Sequence, residues 1–220
     1  MLSGLFVTGT DTGVGKTLVS AALMHRFRRV PGLRYWKPVQ TGIEVDDDTA
    51  EALRSSGLAA DRALHDGVRL PRPLSPHLSA SLAGSSIAVA GLIEIASRQD
   101  PSAHWIVEGA GGVLVPLNER ELMIDFMSVL GLPVVVVARS TLGTINHTLL
   151  TLEALRARAL SIAGVVLVGP TDVDNRVAIE THGRTTVIGE LPWLDPLTPA
   201  SLQEASTAIA PGAVLDWVFA

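Results

Sequence analysis

Short apolar runs alternate with amphipathic segments along most of the chain. The runs have the length of β-strands and are predicted at residues 5–7, 33–36, 105–107, 134–138, 162–168 and 186–191. Helices are predicted at residues 17–29, 92–98, 145–158 and 202–209, where apolar residues recur every three or four positions. Because strands and helices alternate, the pattern predicts an α/β fold built on a doubly wound, mostly parallel sheet.

Two further stretches refine this prediction. Residues 134–137 are consecutive valines without polar alternation, as expected for a parallel strand that is covered on both faces. Residues 61–76 are rich in Pro, Arg and Leu and follow neither period, so we interpret them as an ordered excursion over the functional site. The length of 220 residues fits one domain spanning residues 1–220.

Composition and charge argue against several classes of function. Hydrophobic residues make up 47% of the chain and the net charge is -5, so we expect neither disorder nor a broad attraction to nucleic acid or anionic membranes. The chain has no cysteine, which excludes disulfides, thiolate metal sites and a cysteine nucleophile. No signal-peptide pattern and no apolar run approaching about 20 residues is found, so a cytoplasmic location is expected.

The sequence GTDTGVGKT, at residues 9–17, joins the first predicted strand to the first predicted helix. In this context a glycine-rich loop can wrap phosphate groups with its backbone N–H groups. Gly13 and Gly15 permit close approach of the backbone, and Lys16 supplies a cation. The hydroxyl of Thr17 can reach Mg²⁺. The loop therefore predicts a P-loop domain that binds a nucleotide.

The spacing of this loop departs from the usual Walker A pattern by one residue. Gly9 lies one residue too far from Gly15, and Thr10 stands where that pattern has a glycine. The alternative is a glycine-rich turn that only links a strand to a helix. Such a turn would explain the glycines but not a lysine and a threonine in register after them, so we favour a phosphate loop.

Two charged residues follow predicted strands and are expected at the same edge of the sheet as the loop. Lys37 follows the second strand, although a lone lysine there is more often a solvated surface charge. Glu108 follows the third strand and precedes the small residues 109–112. Mg²⁺ is commonly shared between carboxylates, a loop hydroxyl and phosphates, so Glu108 and Thr17 predict a magnesium site.

Two predicted helix starts are further candidates, each with a simpler explanation. The acidic residues 46–48 are ambiguous, since aspartates before a helix are often caps or solvated side chains. Residues 142–146 precede a strong helical pattern, where free N–H groups and the helix dipole favour an anion. Simple capping by Thr144 is the alternative at this second position.

The loop at residues 9–17 is similar to the signature of dethiobiotin synthetases, whose loop carries the same extra residue. Further blocks resemble this family in the same order and span most of the chain: KPVQTG at 37–42, SPH at 75–77, EGAGG at 108–112, LGTINH at 142–147 and GELPWL at 189–194. The resemblance implies a P-loop enzyme of biotin biosynthesis that uses Mg²⁺ and ATP or another nucleoside triphosphate.

The resemblance also implies roles for individual residues. Lys37 and Lys16 are expected to be catalytic. The metal is expected to contact Thr17, Asp48 and Glu108, with Asp47 as the alternative to Asp48. The nucleotide is expected to contact Thr12, Gly13, Val14, Gly15, Lys16, Thr17, Leu18, Asp48, Glu108, Val168, Gly169, Pro192, Trp193 and Leu194. The substrate is expected to contact Thr41 and, across a homodimer interface with shared active sites, Gly143, Thr144, Ile145 and Asn146.

The implied reaction carboxylates 7,8-diaminononanoate with CO₂ and closes a ureido ring at the expense of a nucleoside triphosphate. One position departs from the family pattern. The family usually has, after the strand at 162–168, an Asn that reads the nucleotide base, whereas Val168 and Gly169 stand in that region. Neither residue offers a side-chain amide, so base selectivity is expected to be loose or not directed to adenine.

Two other functions share this type of loop. A cobyrinic-acid-type amidoligase would need a glutamine-hydrolysing domain with a cysteine nucleophile, and the chain has neither a cysteine nor the length for that domain. A partition-type ATPase switch has a signature lysine early in its loop, where Asp11 and Thr12 stand in this chain. Both alternatives are therefore disfavoured.

Overall fold

A seven-stranded parallel sheet forms the centre of the protein in a computed structural model that describes residues 2–209 and residue 215. The strands, of which all but β3 and β5 belong to this sheet, are β1 Ser3–Gly9, β2 Leu33–Trp36, β3 Val39–Thr41, β4 Ala63–Leu64, β5 Val68–Leu70, β6 His104–Gly112, β7 Val134–Arg139, β8 Ile162–Val168 and β9 Val187–Leu191. The helices are α1 Lys16–Arg26, α2 Asp48–Ser56, α3 Pro76–Leu82, α4 Val89–Ser97, α5 Met123–Leu130, α6 Thr144–Ala157, α7 Val173–Gly183 and α8 Pro199–Thr207.

The order of strands in the main sheet is β4-β2-β6-β1-β7-β8-β9. Every pairing between these neighbours is parallel, so the predicted doubly wound α/β fold is confirmed. The chain reverses its winding direction around β1, with β6 on one side of it and β7 on the other. In such sheets ligands bind at the carboxyl ends of the strands near this switch point.

Both faces of the sheet are covered by helices. Within β1, Phe6 packs into one hydrophobic cluster, whereas Leu5 and Val7 pack into a second cluster on the other face. The valines of β7 divide between the two clusters in the same alternating way. Because successive side chains of a strand point to opposite faces, this burial on both sides explains why the central strands have continuous apolar sequences.

The excursion at residues 61–76 contains regular structure that its sequence did not predict. Strand β4 extends the main sheet beside β2, and β5 pairs with β3 in a separate two-stranded sheet. These strands are only two or three residues long, which is too short for a period of two to be recognised. The sequence left the conformation of this excursion open, and the structure supplies it.

Helices α3, α5 and α7 were also missed by the periodicity of the sequence. In α7 only Ile179 and Gly183 are buried, so the helix lacks a continuous apolar stripe.

Among the residues that the structure describes, no helix is long and apolar enough to cross a membrane. The prediction of a single domain covers residues 1–220, of which 1, 210–214 and 216–220 lie outside the described residues.

Candidate active site

The candidate site forms where three neighbouring strands meet at one edge of the sheet. The phosphate loop follows β1, Lys37 follows β2, and Glu108 lies within β6, which runs between β1 and β2. Glu108 was expected at the end of its strand, but β6 continues to Gly112, which pairs with Gly9. The parallel order of these strands therefore brings the two charged side chains next to the loop.

The phosphate loop leads directly into α1. Gly15 is the N-cap of this helix and has a φ of 97°, a left-handed conformation that favours glycine. A Cβ at this position would also come within 3.1 Å of the side chain of the buried Val168, so the backbone conformation and the tight space both favour glycine here. The loop thus packs against the end of β8 while the first N–H groups of α1 point outward from the helix.

Asp11 fixes the part of the loop that carries the extra residue. Its backbone oxygen accepts a hydrogen bond from Lys16 Nζ at 3.0 Å. Its carboxylate accepts one from the backbone N–H of Thr12 at 2.7 Å and forms an ion pair with Arg139 Nη2 at 2.6 Å. Arg139 is the last residue of β7, so the loop is tied to a second strand.

A buried ionic cluster lies beside the loop. Lys37, only 3% exposed, contacts Asp48 and donates a hydrogen bond to Glu108 Oε1 at 2.7 Å. Glu108 is completely buried. The Thr17 hydroxyl lies 3.0 Å from both Asp48 Oδ1 and Glu108 Oε1. The structure therefore brings together Lys37 and the three predicted metal-binding residues.

Burial and neighbouring charges shift the pKa values in this cluster. Burial lowers the pKa of Lys16 to about 8, and the like charge of Lys37 contributes to the shift. Burial alone would lower the pKa of Lys37, but the carboxylates of Glu108 and Asp48 raise it above its ordinary value. Burial opposes the charged form of Asp48, yet its contact with Lys37 holds its pKa below the ordinary value. Lys37 and Asp48 are thus both charged near neutral pH.

The oxygen atoms of this cluster fit Mg²⁺. The Thr17 hydroxyl has one proton and lies at hydrogen-bonding distance from two carboxylates, so it cannot fully satisfy both. Two carboxylates and one hydroxyl, all within reach of the phosphate loop, are the donor set that Mg²⁺ prefers beside nucleotide phosphates. The residues could therefore hold the metal.

The structure distinguishes the two aspartates that the sequence left open. Asp47 is the N-cap of α2, and its carboxylate accepts hydrogen bonds from the N–H groups of Thr49 and Ala50. Asp48 is the first helical residue and faces Lys37 and Thr17. Of the two, Asp48 lies in the cluster and Asp47 caps the helix.

A cavity of about 860 Å³ opens next to the cluster. Most residues predicted to bind nucleotide or substrate line it: Thr12, Gly13, Gly15, Lys16, Thr17, Leu18, Lys37, Thr41, Asp48, Glu108, Trp193 and Leu194. Four predicted nucleotide contacts, Val14, Val168, Gly169 and Pro192, are not among its lining residues in the part of the chain that the structure describes. Residues 73–76 also line the cavity, so the excursion does reach the site.

The predicted substrate residues at the start of α6 lie elsewhere. Gly143 is the N-cap, with no side-chain cap, and Thr144 is buried with its hydroxyl 3.5 Å from that of Thr148. The alternative of simple capping by Thr144 was therefore wrong. In the part of the chain that the structure describes, residues 143–146 are not among those that line the cavity of about 860 Å³.

Tyr35 and Glu51 are among the residues of the site that escaped the sequence prediction, whereas Asp46 belongs to the acidic run at 46–48 that the sequence singled out. Tyr35 donates a hydrogen bond from its hydroxyl to Glu108 Oε2, and Asp46 and Glu51 line the cavity. The carboxylates of Asp46, Asp48 and Glu51 offer oxygens within 4.8 Å of one another. Glu51 could have been found, because it follows Asp48 by three residues on the same face of a helix. An aromatic residue in a buried strand gives no such signal.

Comparison with known proteins finds relatives that are named as ATP-dependent enzymes, in agreement with a phosphate loop at the edge of a cavity. A family model described as an AAA domain matches residues 3–201. The ATP-dependent dethiobiotin synthetase BioD of Agrobacterium fabrum is 44% identical over 199 residues, which cover 90% of each chain. The protein of the same name from Nitrobacter hamburgensis is 44% identical over 205 residues, which cover 93% of each chain.

A longer relative and two solved structures share the fold. The biotin biosynthesis bifunctional protein BioCD of Bordetella avium is 49% identical over 193 residues, and this chain spans only 40% of its length. A ParA family ATPase from Chlorobium tepidum aligns over 100% of this chain and 98% of its own, with a TM-score of 0.60 at 11% identity. The MinC:MinD cell division complex of Aquifex aeolicus aligns over 98% of this chain and 93% of that chain, with a TM-score of 0.57 at 12% identity. At these identities the structures show the fold alone.

Proposed function

Since this chain belongs to the family of ATP-dependent dethiobiotin synthetases, we infer that it catalyses the ATP-dependent closure of the ureido ring in biotin biosynthesis. The proposed substrates are 7,8-diaminononanoate, CO₂ and a nucleoside triphosphate. The observation that carries this proposal is the pairing of two buried lysines with a threonine and two carboxylates at the edge of a cavity of about 860 Å³. A cytoplasmic location and the lack of a nucleic-acid partner stay predictions.

The proposed chemistry has three steps. One substrate amine adds to CO₂, loses a proton and becomes a carbamate. A carbamate oxygen then attacks the γ-phosphorus, and the bond to the nucleoside diphosphate breaks. The second amine attacks the resulting carbamoyl phosphate carbon, loses a proton and expels phosphate, which closes the ring. Negative charge moves between phosphate oxygens in the second step, so cations fixed beside the cavity favour it.

Lys16 and Lys37 are the residues proposed to stabilise this charge. Both side chains are buried, where an ammonium group interacts more strongly with phosphate than it would in water. Lys37 is already held in position by Glu108 and Asp48, so little ordering is needed when the substrates bind. The N–H groups at residues 12–17 are proposed to hold the phosphates. None of these steps requires a nucleophile from the protein.

Thr17, Asp48 and Glu108 are proposed to hold Mg²⁺. The metal, when bound, would neutralise charge on the phosphate oxygens and orient them. The support for this site is the Thr17 hydroxyl together with two carboxylate oxygens, Asp48 Oδ1 and Glu108 Oε1, each of which lies 3.0 Å from it. Thr41 and residues 73–76 line the other part of the cavity and are proposed to contact the diamine or carbamate.

A homodimer with shared active sites is proposed from the face that contains α6. Leu114 and Leu150 are more than half exposed and line a second cavity of about 440 Å³, which also borders Thr12 of the phosphate loop. Leu142, next to the start of α6, is completely exposed. An apolar surface of this kind beside the site is suited to a second copy of the chain, whose α6 would bring residues 143–146 to the substrate carboxylate.

Neither a cobyrinic-acid-type amidoligase nor a partition-type ATPase switch is favoured. The curated relatives with high coverage are named as dethiobiotin synthetases, whereas the ParA and MinD structures resemble this chain only in fold. The test is an assay for dethiobiotin formed from the diamine, bicarbonate and ATP, with ATP hydrolysis measured in parallel without the diamine. Product formation coupled to ATP consumption supports the proposal. Hydrolysis of the same rate with and without the diamine, and no dethiobiotin, would support an ATPase switch instead.

Replacing Glu108 with glutamine is expected to weaken the Mg²⁺ dependence of nucleotide binding. The amide is neutral and offers one oxygen instead of a carboxylate, so the metal loses a charged ligand. Isothermal titration calorimetry with a non-hydrolysable ATP analogue, with and without Mg²⁺, measures the change. An unaltered Mg²⁺ dependence in a folded Glu108→Gln protein would remove Glu108 from the metal site.

Asp47 and Asp48 provide a matched pair of substitutions. Asp47→Ala is expected to lower the free energy of unfolding by about 1 kcal/mol, because it removes the cap of α2, and to leave Mg²⁺-dependent nucleotide binding intact. Asp48→Ala is expected to weaken that binding. Thermal unfolding and the same calorimetric titration separate the two effects. If Asp47→Ala weakened metal-dependent binding as much as Asp48→Ala, the assignment of Asp48 would be wrong.

Selectivity for the nucleotide base is expected to be loose or not directed to adenine. The cavity wall near the loop includes Leu18, Trp193 and Leu194, which offer apolar and aromatic surfaces, while Val168 is buried. Stacking against such surfaces does not distinguish one base from another by hydrogen bonds. Competition between ATP, GTP and CTP measures this selectivity. A preference for ATP above 100-fold, roughly 2.7 kcal/mol, would show that other groups read adenine.

A further inference from the structure

We propose that Tyr35 is a positioning residue for the metal site, which holds Glu108 Oε2 so that Oε1 faces Thr17 and Lys37. The Tyr35 hydroxyl donates a hydrogen bond to Oε2 at 3.0 Å, whereas Oε1 lies 2.7 Å from Lys37 Nζ and 3.0 Å from the Thr17 hydroxyl. The two oxygens of one carboxylate thus have separate partners. This inference rests on the proposed role of Glu108 in binding Mg²⁺.

The strand register explains how the contact forms. Tyr35 pairs with Ile106 on β6, and Glu108 lies two residues further along the same strand. The side chains of Ile106 and Glu108 therefore point to the same face of the sheet. A tyrosine is long enough to reach the residue diagonally across from it. Its ring packs in the hydrophobic cluster that also contains Leu5, Val7 and Ile106.

The two oxygens of the Glu108 carboxylate differ in their support, because Lys37 and Thr17 contact Oε1 while Tyr35 contacts Oε2. Tyr35 and Glu108 are both completely buried, so water does not replace a lost partner at low cost. Within residues 2–209 the Tyr35 hydroxyl is the hydrogen-bond donor to Oε2. Without it only the contacts at Oε1 would restrain the terminal torsion, which is broad and soft, so the carboxylate would be oriented less firmly toward Thr17. Groups that orient metal ligands in this way commonly change metal affinity by about 10- to 100-fold.

The test compares three variants by a measurement that needs no turnover. Binding of Mn²⁺, which also prefers oxygen ligands, is titrated by electron paramagnetic resonance in the presence of a non-hydrolysable ATP analogue. Tyr35→Phe is expected to raise the dissociation constant for Mn²⁺ roughly 10- to 100-fold and to leave the metal-free affinity for the analogue unchanged. Trp105→Phe is the control, since Trp105 is buried in β6 and packs into the other hydrophobic cluster, and within the described residues its Nε1 has no hydrogen-bond partner. It is expected to change neither affinity.

Glu108→Gln separates the failure of this inference from the failure of the proposed metal site. If Glu108→Gln weakens Mn²⁺ binding and a folded Tyr35→Phe protein does not, Tyr35 has no positioning role while the metal site stands. If neither substitution affects Mn²⁺ binding, both proposals are wrong. An equal loss of metal-free and metal-dependent nucleotide binding in Tyr35→Phe would reveal general damage and overturn the inference.

A second measurement decides the matter if Tyr35→Phe does not fold. Tyr35 is the single tyrosine of the chain, so growth on 3-fluorotyrosine labels this position alone. The ¹⁹F resonance is expected to shift when Mg²⁺ is added to the protein with the ATP analogue, and to shift much less in labelled Glu108→Gln. A resonance that does not respond to Mg²⁺, or responds equally in both proteins, would overturn the inference.

Discussion

Replacing Lys37 with alanine is expected to lower the turnover number by on the order of 100-fold or more, because a preorganised cation is lost beside the transferred phosphate. The Michaelis constant for the nucleotide is expected to change less, since Lys16 and the N–H groups of the loop remain. Steady-state kinetics at saturating diamine and Mg²⁺ measure both quantities. Near-normal turnover would contradict the assignment of Lys37 as catalytic.

The burial of Lys37 calls for a control of stability. The sequence placed this residue at a strand edge, where its loss would leave the fold intact, but its side chain is almost completely buried and pairs with the buried Glu108. Removing one partner of a buried ion pair costs about 3–5 kcal/mol, because the remaining charge is uncompensated. Lys37→Met, which keeps most of the side-chain volume, is therefore assayed alongside, below the unfolding temperature of each variant. Loss of turnover in both folded variants would support the catalytic role.

Mixing two inactive variants is expected to restore activity if the site is shared between subunits. Gly143→Asn adds a side chain at the start of α6, and asparagine tolerates the positive φ of 93° better than most residues. By itself this change is expected to raise the Michaelis constant for the diamine and to spare nucleotide affinity, because the helix N-terminus is proposed to bind the substrate carboxylate.

A mixed dimer of Lys37→Ala and Gly143→Asn subunits would contain one site with both residues intact. When subunits mix at random, about half of the dimers are mixed and each has one intact site of two, so roughly a quarter of the wild-type activity should return. The assay is run at a diamine concentration at which both parent proteins are nearly inactive. Native mass spectrometry confirms mixing. If mixed dimers form and activity stays at the level of the parents, the site does not include α6 of the partner subunit.

The sequence determined the general fold and the phosphate loop. Continuous apolar strands such as the one at residues 134–138 can be stable only when both faces are covered, so their alternation with helices specified a parallel sheet before any contact was known. The loop at 9–17 was recognisable because glycines, a lysine and a threonine adjacent in sequence are also adjacent in space. Lys16 and Thr17 needed no long-range information, whereas the ion pair of Asp11 with Arg139 did.

Only the tertiary structure decided how distant residues combine. Whether Asp47 or Asp48 faces the site depends on which of them caps α2, and that is fixed by the direction in which the helix begins against Lys37 and Thr17. Tyr35 escaped notice because its sequence marks it only as a strand residue with a large apolar ring. Its contact with Glu108 joins positions 73 residues apart and arises from the parallel register of β2 and β6. Sequence patterns report local periodicity, whereas the polar contacts of a buried side chain depend on the neighbours that strand order supplies.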